Sequence, residues 1–374
     1  MLKTRWLAIS KSVCWSLPAL AIVTPVQLAG QETYTLSGSR LAVYNIAGEI
    51  TVTRGSGSDL VVEVTRRGSD ADMLEIEIGD ICDANALRII YPDDDIIYLD
   101  SRLRGNSDLR IRPDGSFYGH DHWHRGYSWG CRSSRGDSWR GRRGSRNRVR
   151  SRGPGVEAWA DIRVMVPDGK RLEIYLVAGT VTAANIGSDL VVDVGNVEVD
   201  IRDVDGDVAV DTGSGSVSVS GVEGAVAVDT GSGAVSISSV NGTYALVDTG
   251  SGAVTGSDIT VSDLNVDTGS GRVNLRNVSS PEVMIDTGSG SVDLELVSEV
   301  RRLIIDTGSG HVDVSMPENT SAALEIDTGS GGIEVDFPIT IRRWERDHIE
   351  GTIGDGSGRI VIDTGSGGVT LRSS

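Results

Sequence analysis

An all-β fold is predicted for this chain: a β-solenoid of the parallel β-helix kind, with coils of roughly 18–20 residues. Three observations carry the prediction. The pentapeptide Asp-Thr-Gly-Ser-Gly occurs eight times, beginning at Asp211, Asp229, Asp248, Asp267, Asp286, Asp306, Asp327 and Asp363, with steps of 18, 19, 19, 19, 20, 21 and 36 residues. A fixed period of this size marks stacked supersecondary units, each too small to bury its own apolar face. Each copy also lies between short alternating runs, such as Val208 and Val210 before the first copy and Val217 and Val219 after it. Period-two alternation is a strand signal, and Gly-Ser-Gly between two such runs is a turn. Finally, no stretch after residue 29 has helical periodicity. One unit is therefore strand, tight turn, strand, looser turn.

Taken in order, residues 1–29 carry Lys3, Arg5 and Lys11, then an apolar run over 13–23, then Leu28-Ala29 before Gly30. This reads as a signal peptide, so the chain is expected to be exported to a periplasmic, cell-surface or secreted location. Residues 30–100 alternate like strands at 41–52, 60–64, 74–78 and 87–91, and form an N-terminal β-repeat or capping region. Residues 101–155 lack apolar periodicity and are rich in Arg, Gly and Ser, with Trp123, Trp129 and Trp139 among them. They are expected to be a disordered basic loop pinned at its base. Order resumes at Ala158, and residues 156–374 form the repeat domain, in which Asp193-Val-Gly195 is a degenerate first copy of the motif. Gly354-Asp-Gly-Ser-Gly358, nine residues before the last copy, is placed on the opposite edge of the coil.

The Asn45-Ile-Ala-Gly48-Glu-Ile-Thr-Val opening, the Val-Asp-Thr-Gly-Ser-Gly units and the Gly-Asp-Gly-Ser-Gly ending resemble the bacterial putative-adhesin family of exported β-repeat domains. The resemblance spans nearly all of the chain after residue 29 except the basic insert. It implies a cell-envelope or extracellular setting and no catalytic residues.

In a stack with layers about 4.8 Å apart, equivalent aspartates form a ladder of like charges. Neighbours at that spacing repel by about 0.9 kcal/mol in water. The structural reading offsets this with an Asx turn, in which each carboxylate accepts the N–H of the glycine two residues on, while the two glycines supply positive φ. The alternative is calcium held between coils; one carboxylate per coil provides few of the six to eight oxygens calcium takes, so no cofactor is expected. Asp-Thr-Gly-Ser also resembles the aspartic-protease signature, but eight equivalent copies do not make the facing pair that shares a proton. A carbohydrate-active β-helix enzyme would need carboxylates standing out from the repeat at one place, and none does so in the sequence. The chain is therefore read as non-enzymatic.

Two further groups are candidates. Cys82 and Cys131 remain after residue 29, an even pair that either forms a disulfide or stays as two thiols. His120-Asp121-His122-Trp123-His124 has metal-like spacing, though three histidines in a Gly/Arg loop are more often solvated.

Charge points to a partner. The whole chain is −18, yet residues 102–152 hold fourteen Arg against four Asp, a net +10. Arg140, Arg142, Arg143, Arg146, Arg148 and Arg150, with Trp129 and Trp139, are the candidate contacts to an anionic envelope or extracellular component, polymer or lipid. Export makes cytoplasmic nucleic acid an unfitting partner. The competing role for the insert is neutralisation of the acidic rod.

Overall fold

The computed structural model describes residues 30–81, 83–100, 107–110, 117, 122–124, 127–129 and 146–374. Nearly all of the strands join one network of 24, and the repeat is a parallel solenoid: each strand pairs in register with the equivalent strand one coil on. Asp211 lies beside Asp229, Asp229 beside Asp248, and Val217 beside Val235. The alternating Val, Ile and Leu of both runs point inward and fuse into a single core along the rod.

A coil has two long sides and a short one. The strand ending in Asp-Thr forms one sheet, and the strand after Gly-Ser-Gly forms the other. The second strand then bends at a left-handed residue, after which Val204, Val222, Val240, Ile259 and Val278 form a short third ladder. The bend residues are Asn185, Asp203, Gly221, Ser239, Asp258 and Asn277, with φ between 52° and 65°. Asn, Asp and Gly tolerate this region best, because a short polar side chain can hydrogen-bond locally and Gly has no Cβ to clash. The repeating positive-φ position is therefore at this bend.

That corrects the expected role of the motif glycines. Apart from Gly215 and Gly233, those of the eight Asp-Thr-Gly-Ser-Gly copies do not have positive φ. They are glycine because successive coils touch there: a Cβ at Gly271 would lie 1.8 Å from the Gly252 carbonyl oxygen, and one at Gly290 1.8 Å from that of Gly271. A Cβ at Gly269 would lie 2.6 Å from the Gly250 oxygen.

The layers do not follow chain order at either end. Arg40–Arg54 is itself a coil, paired in register with Arg171–Ile186 from Arg40↔Arg171 onward. The described strands Ala84–Ile90 and Trp159–Val166 lie on its other side, so the chain builds the end of the rod before it adds Arg171–Ile186. At the other end, Gly358–Thr364 inserts between Arg302–Thr307 and Ala322–Thr328, so the aspartates run Asp306, Asp363, Asp327 in space. The 36-residue step is thus the detour of a chain that builds the outer layer before filling the gap, rather than two ordinary steps.

Antiparallel strands close both ends. Glu75–Ile81 covers Ala84–Ile90, which lies on residues 41–44. Gln31–Leu36, Leu60–Arg67 and Trp159–Val166 extend the other sheet. Beyond Ala322–Thr328 come His348–Ile353 and then Ile339–Trp344.

The expectation of a disordered loop over 101–155 is corrected for the residues described there. Arg146–Arg150 pairs parallel with Ile96–Ile97 and antiparallel with Ser107–Arg110, while His122–His124 pairs with Tyr127–Trp129. Phe117 and Val149 are buried, and Phe117 meets the edge of Tyr44 with ring centroids 5.6 Å apart. Isolated apolar residues in a polar, Arg-rich stretch gave no period to read, yet tertiary contact with the rod orders them. No helix among the described residues is long and apolar enough to cross a membrane.

Candidate functional site

The strand alternation does not stop at the apolar run. In residues 264–268, Leu264, Val266 and Thr268 are buried while Asp267 faces out. Every motif threonine, from Thr212 to Thr364, is buried in the same way. Five of the eight hydroxyls donate to glycine carbonyls of the adjoining coil, as Thr307 does to Gly290 (3.0 Å) and Thr364 to Gly310 (3.1 Å), whereas Thr328 donates to Gly331 in its own turn and those of Thr230 and Thr249 are buried without a partner. Counting the period-two alternation two residues beyond the apolar run places the threonine inside.

The aspartates form the predicted ladder. Asp193, Asp211, Asp229, Asp248, Asp267, Asp286, Asp306, Asp363 and Asp327 stand side by side in consecutive layers. The Asx turn is not what holds them. The glycine N–H that such a turn would use donates instead to the threonine carbonyl of the next layer: Gly231 to Thr212 (3.0 Å), Gly269 to Thr249 (3.1 Å), Gly288 to Thr268 (3.1 Å) and Gly365 to Thr307 (3.2 Å). Packing of coils claims the donor. A true Asx turn occurs at the opposite corner, where Asp355 accepts the Ser357 N–H at 3.1 Å and bonds Ser321, which holds its carboxyl below the usual range.

Both ends of the ladder are finished by other chemistry. Asp193 is followed by Tyr175 and Tyr44, whose rings stack at 4.2 Å and 4°. Asp327 is followed by His348, whose Nδ1 lies 3.1 Å from its carboxylate. Within the run, Asp286 titrates above the ordinary carboxylate range, because it is partly desolvated and flanked by Asp267 and Asp306. Asp363 is raised for the same reasons, between Asp306 and Asp327. Among the described residues no three His, Cys, Asp or Glu converge as metal ligands.

These two raised carboxylates set a sign. A folded-state value above the unfolded one means that charging the group opposes folding, so the penalty is absent at low pH and grows as pH rises through the folded value. Asp286→Asn is therefore expected to stabilise the rod, by about 0.5 kcal/mol after solvent screening. In the unmodified chain the penalty should shrink as pH falls through the raised folded-state value towards the ordinary carboxylate range, and it should be missing from the Asn variant. Thermal unfolding across that range checks both; an Asn variant that melts lower would show that the carboxylate makes a favourable contact.

A hollow on the rod lies where the insert's stem passes the corners of four coils. It has a volume of about 610 Å³, and Tyr98, Asp100, Asn196, Glu198, Ser214 and Gly215 are among its lining residues. Its polar, acidic lining places Asp100 and Glu198 in one groove. Sequence reading missed it because its walls come from positions 98 to 233, joined only by the stacking.

Of the other candidates, Cys82, Cys131, His120, Asp121, Arg140, Arg142, Arg143, Trp139 and residues 1–29 lie outside the described residues. Arg146 and Trp129 fall on the short strands Arg146–Arg150 and Tyr127–Trp129, as His122 and His124 fall on His122–His124. Arg148 is half-buried, and Arg150 pairs with Asp95 at 3.0 Å, tying the insert's stem to the rod.

No curated protein matches the chain in sequence. A solved structure, described as a putative cell adhesion protein from Clostridium sporogenes ATCC 15579, aligns over 94% of this chain and 100% of its own at 10% identity, with a TM-score of 0.21. The family described as Toastrack DUF4097 matches residues 158–372, more than half of the chain, and the chain belongs to that family, a domain of unknown function.

Proposed function

We propose that this chain is a non-enzymatic, exported binding module: an acidic β-solenoid rod carrying a basic insert that attaches to an anionic envelope or extracellular component, polymer or lipid headgroup. The observation that carries the reading is the segregation of charge. Residues 102–152 hold fourteen Arg, while the ladder aspartates and most other acids lie on the rod. The insert joins two strands of the rod's end, Ala84–Ile90 and Trp159–Val166, and its described stem is fastened by strand pairing and the Arg150–Asp95 ion pair. An anionic surface would gain about 1 kcal/mol per arginine near it. The adhesion role in the name of the structural neighbour is consistent with such a module. No metal is required in this reading, since coil-to-coil hydrogen bonds join the layers at the motif corners.

Co-sedimentation with anionic vesicles tests it. The chain is expected to bind at low salt and to release as the Debye length falls from about 10 Å at 0.1 M towards 3 Å at 1 M. Replacing Arg140, Arg142 and Arg143 together by Gln should weaken binding about tenfold or more. Absence of binding by the intact chain at low salt would leave the insert as an internal clasp.

The groove lined by Asp100 and Glu198 favours one second reading, cleavage of a carbohydrate polymer by two carboxylates. Polysaccharide hydrolysis lost in Glu198→Gln would establish it over the binding module.

A further inference from the structure

The two ends of the rod differ in a way that its repeat does not require. One sheet runs without a break from Glu75–Ile81 to Ile339–Trp344, and among the described residues each of these strands pairs on one side only. The first edge carries Glu75, Glu77 and Asp80 and no base; the last carries Arg342 and Arg343 and no acid. Four of the six large apolar side chains that are exposed among the described residues sit at these ends. Ile78 (42%) and Met73 (50%) lie on or just before the first edge, and Ile341 (51%) and Trp344 (58%) on the last.

We propose that these edges pair with each other, so that copies of this chain associate head to tail into longer rods. The strand directions permit it. Residues 41–44 run parallel to Ala84–Ile90 and antiparallel to Glu75–Ile81; at the far end Ile339–Trp344 again runs parallel to the coils, because two antiparallel steps separate it from Ala322–Thr328. A second copy carried along the rod axis therefore offers its Glu75–Ile81 strand antiparallel to Ile339–Trp344, the more stable ladder. The strands have seven and six residues, so the pairing can run their full length.

Charge selects this arrangement over its alternatives. Like charges placed directly opposite destabilise a strand pair, so two acidic edges or two basic edges repel. Charged side chains on an edge normally guard it against unwanted pairing. Here each edge is guarded against itself and left complementary to the other. Glu77 pairs with the largely buried Arg88 while its own carboxylate stays exposed; Arg342 with Glu350 and Arg343 with Glu345 are solvent-accessible pairs that can be exchanged at little cost. A heterologous contact of this kind propagates unless its rotation closes a ring.

Sedimentation velocity on the chain as exported by a producing cell is the test. The weight-average mass is expected to rise with concentration, and the association to weaken about tenfold or more between 0.1 M and 1 M salt. Ile78→Arg blocks the acidic edge, and Arg342→Glu with Arg343→Glu blocks the basic one. Each variant alone should remain monomeric, while an equimolar mixture should recover species of at least twice the monomer mass through the two unaltered edges. A monomeric parent at high micromolar concentration, association unaffected by salt, or a single-edge variant that still dimerises would each overturn the proposal. The salt series on the unmodified chain needs no variant to fold, and neither result depends on the anionic ligand of the insert.

Discussion

Gly271→Ala is expected to lower the unfolding free energy by about 3 kcal/mol or more, because the added methyl group meets backbone rather than a movable side chain. Its carbon would lie 1.8 Å from the Gly252 carbonyl oxygen. That oxygen belongs to the adjoining coil, whose position is fixed by Val254 pairing with Val273 on one side and Thr249 with Thr268 on the other. Relief requires the coils to part locally, with loss of ladder hydrogen bonds. Two comparisons give the result its meaning. Gly269→Ala places the methyl carbon at 2.6 Å from the Gly250 oxygen and should cost less. At Gly332 a methyl group would meet nothing within 4 Å, and substitution there should stay within about 0.5 kcal/mol. Urea unfolding of the three variants checks the order. Equal costs at Gly271 and Gly332 would mean that coil contact is not what selects glycine.

Glu173→Ala is expected to destabilise by a comparable amount, about 3 kcal/mol. Glu173 is buried and accepts from Arg40 Nε at 2.6 Å, Arg171 Nε at 3.0 Å and the Tyr175 hydroxyl at 3.0 Å. Arg40 and Arg171 are register partners in adjoining layers, so removal of the carboxylate takes away the negative charge that both guanidinium groups share. Burial by itself would raise the Glu173 carboxyl, but the two arginines outweigh it, Arg40 foremost, and hold it below its ordinary value. The sign is opposite to that of Asp286 and Asp363. A depressed folded-state value adds stability above the unfolded carboxylate range, which is lost as pH falls through the folded value. Mild acid should therefore strengthen the Asp286 region before stronger acid loosens the Glu173 layer. Stability of Glu173→Ala should fall less steeply in strong acid than that of the parent; an unchanged acid limb would assign the loss to other carboxylates.

Much of the rod was legible in the chain because a solenoid repeats its physics. The 18- to 21-residue steps fixed the coil, the alternation at Val208, Val210, Val217 and Val219 fixed which side chains turn inward, and equal spacing placed each aspartate beside the next. These are local signals, since register in a stack follows from copies of one pattern meeting each other. The reading failed where a residue answers to the neighbouring coil instead of to its own. The motif glycines were assigned to positive φ, whereas a carbonyl 1.8 Å from a would-be Cβ selects them; the positive φ lies at Asp203, Ser239, Asp258 and Asn277, where Asp, Asn and Ser gave no repeated word to notice.

Layer order was likewise beyond the sequence. Nothing in a step of 36 residues says that Gly358–Thr364 enters between two earlier strands, or that Arg40–Arg54 lies on Arg171–Ile186 across an excursion of more than a hundred residues. A local pattern states what a strand can pair with, and many equivalent partners satisfied it equally. Only the closed three-dimensional stack, in which each edge must be covered or charged, chose among them. The sequence by itself determined the solenoid, its period and its acidic ladder; the tertiary structure decided the order of the layers and the chemistry of the two ends, because those depend on which identical neighbour each coil meets.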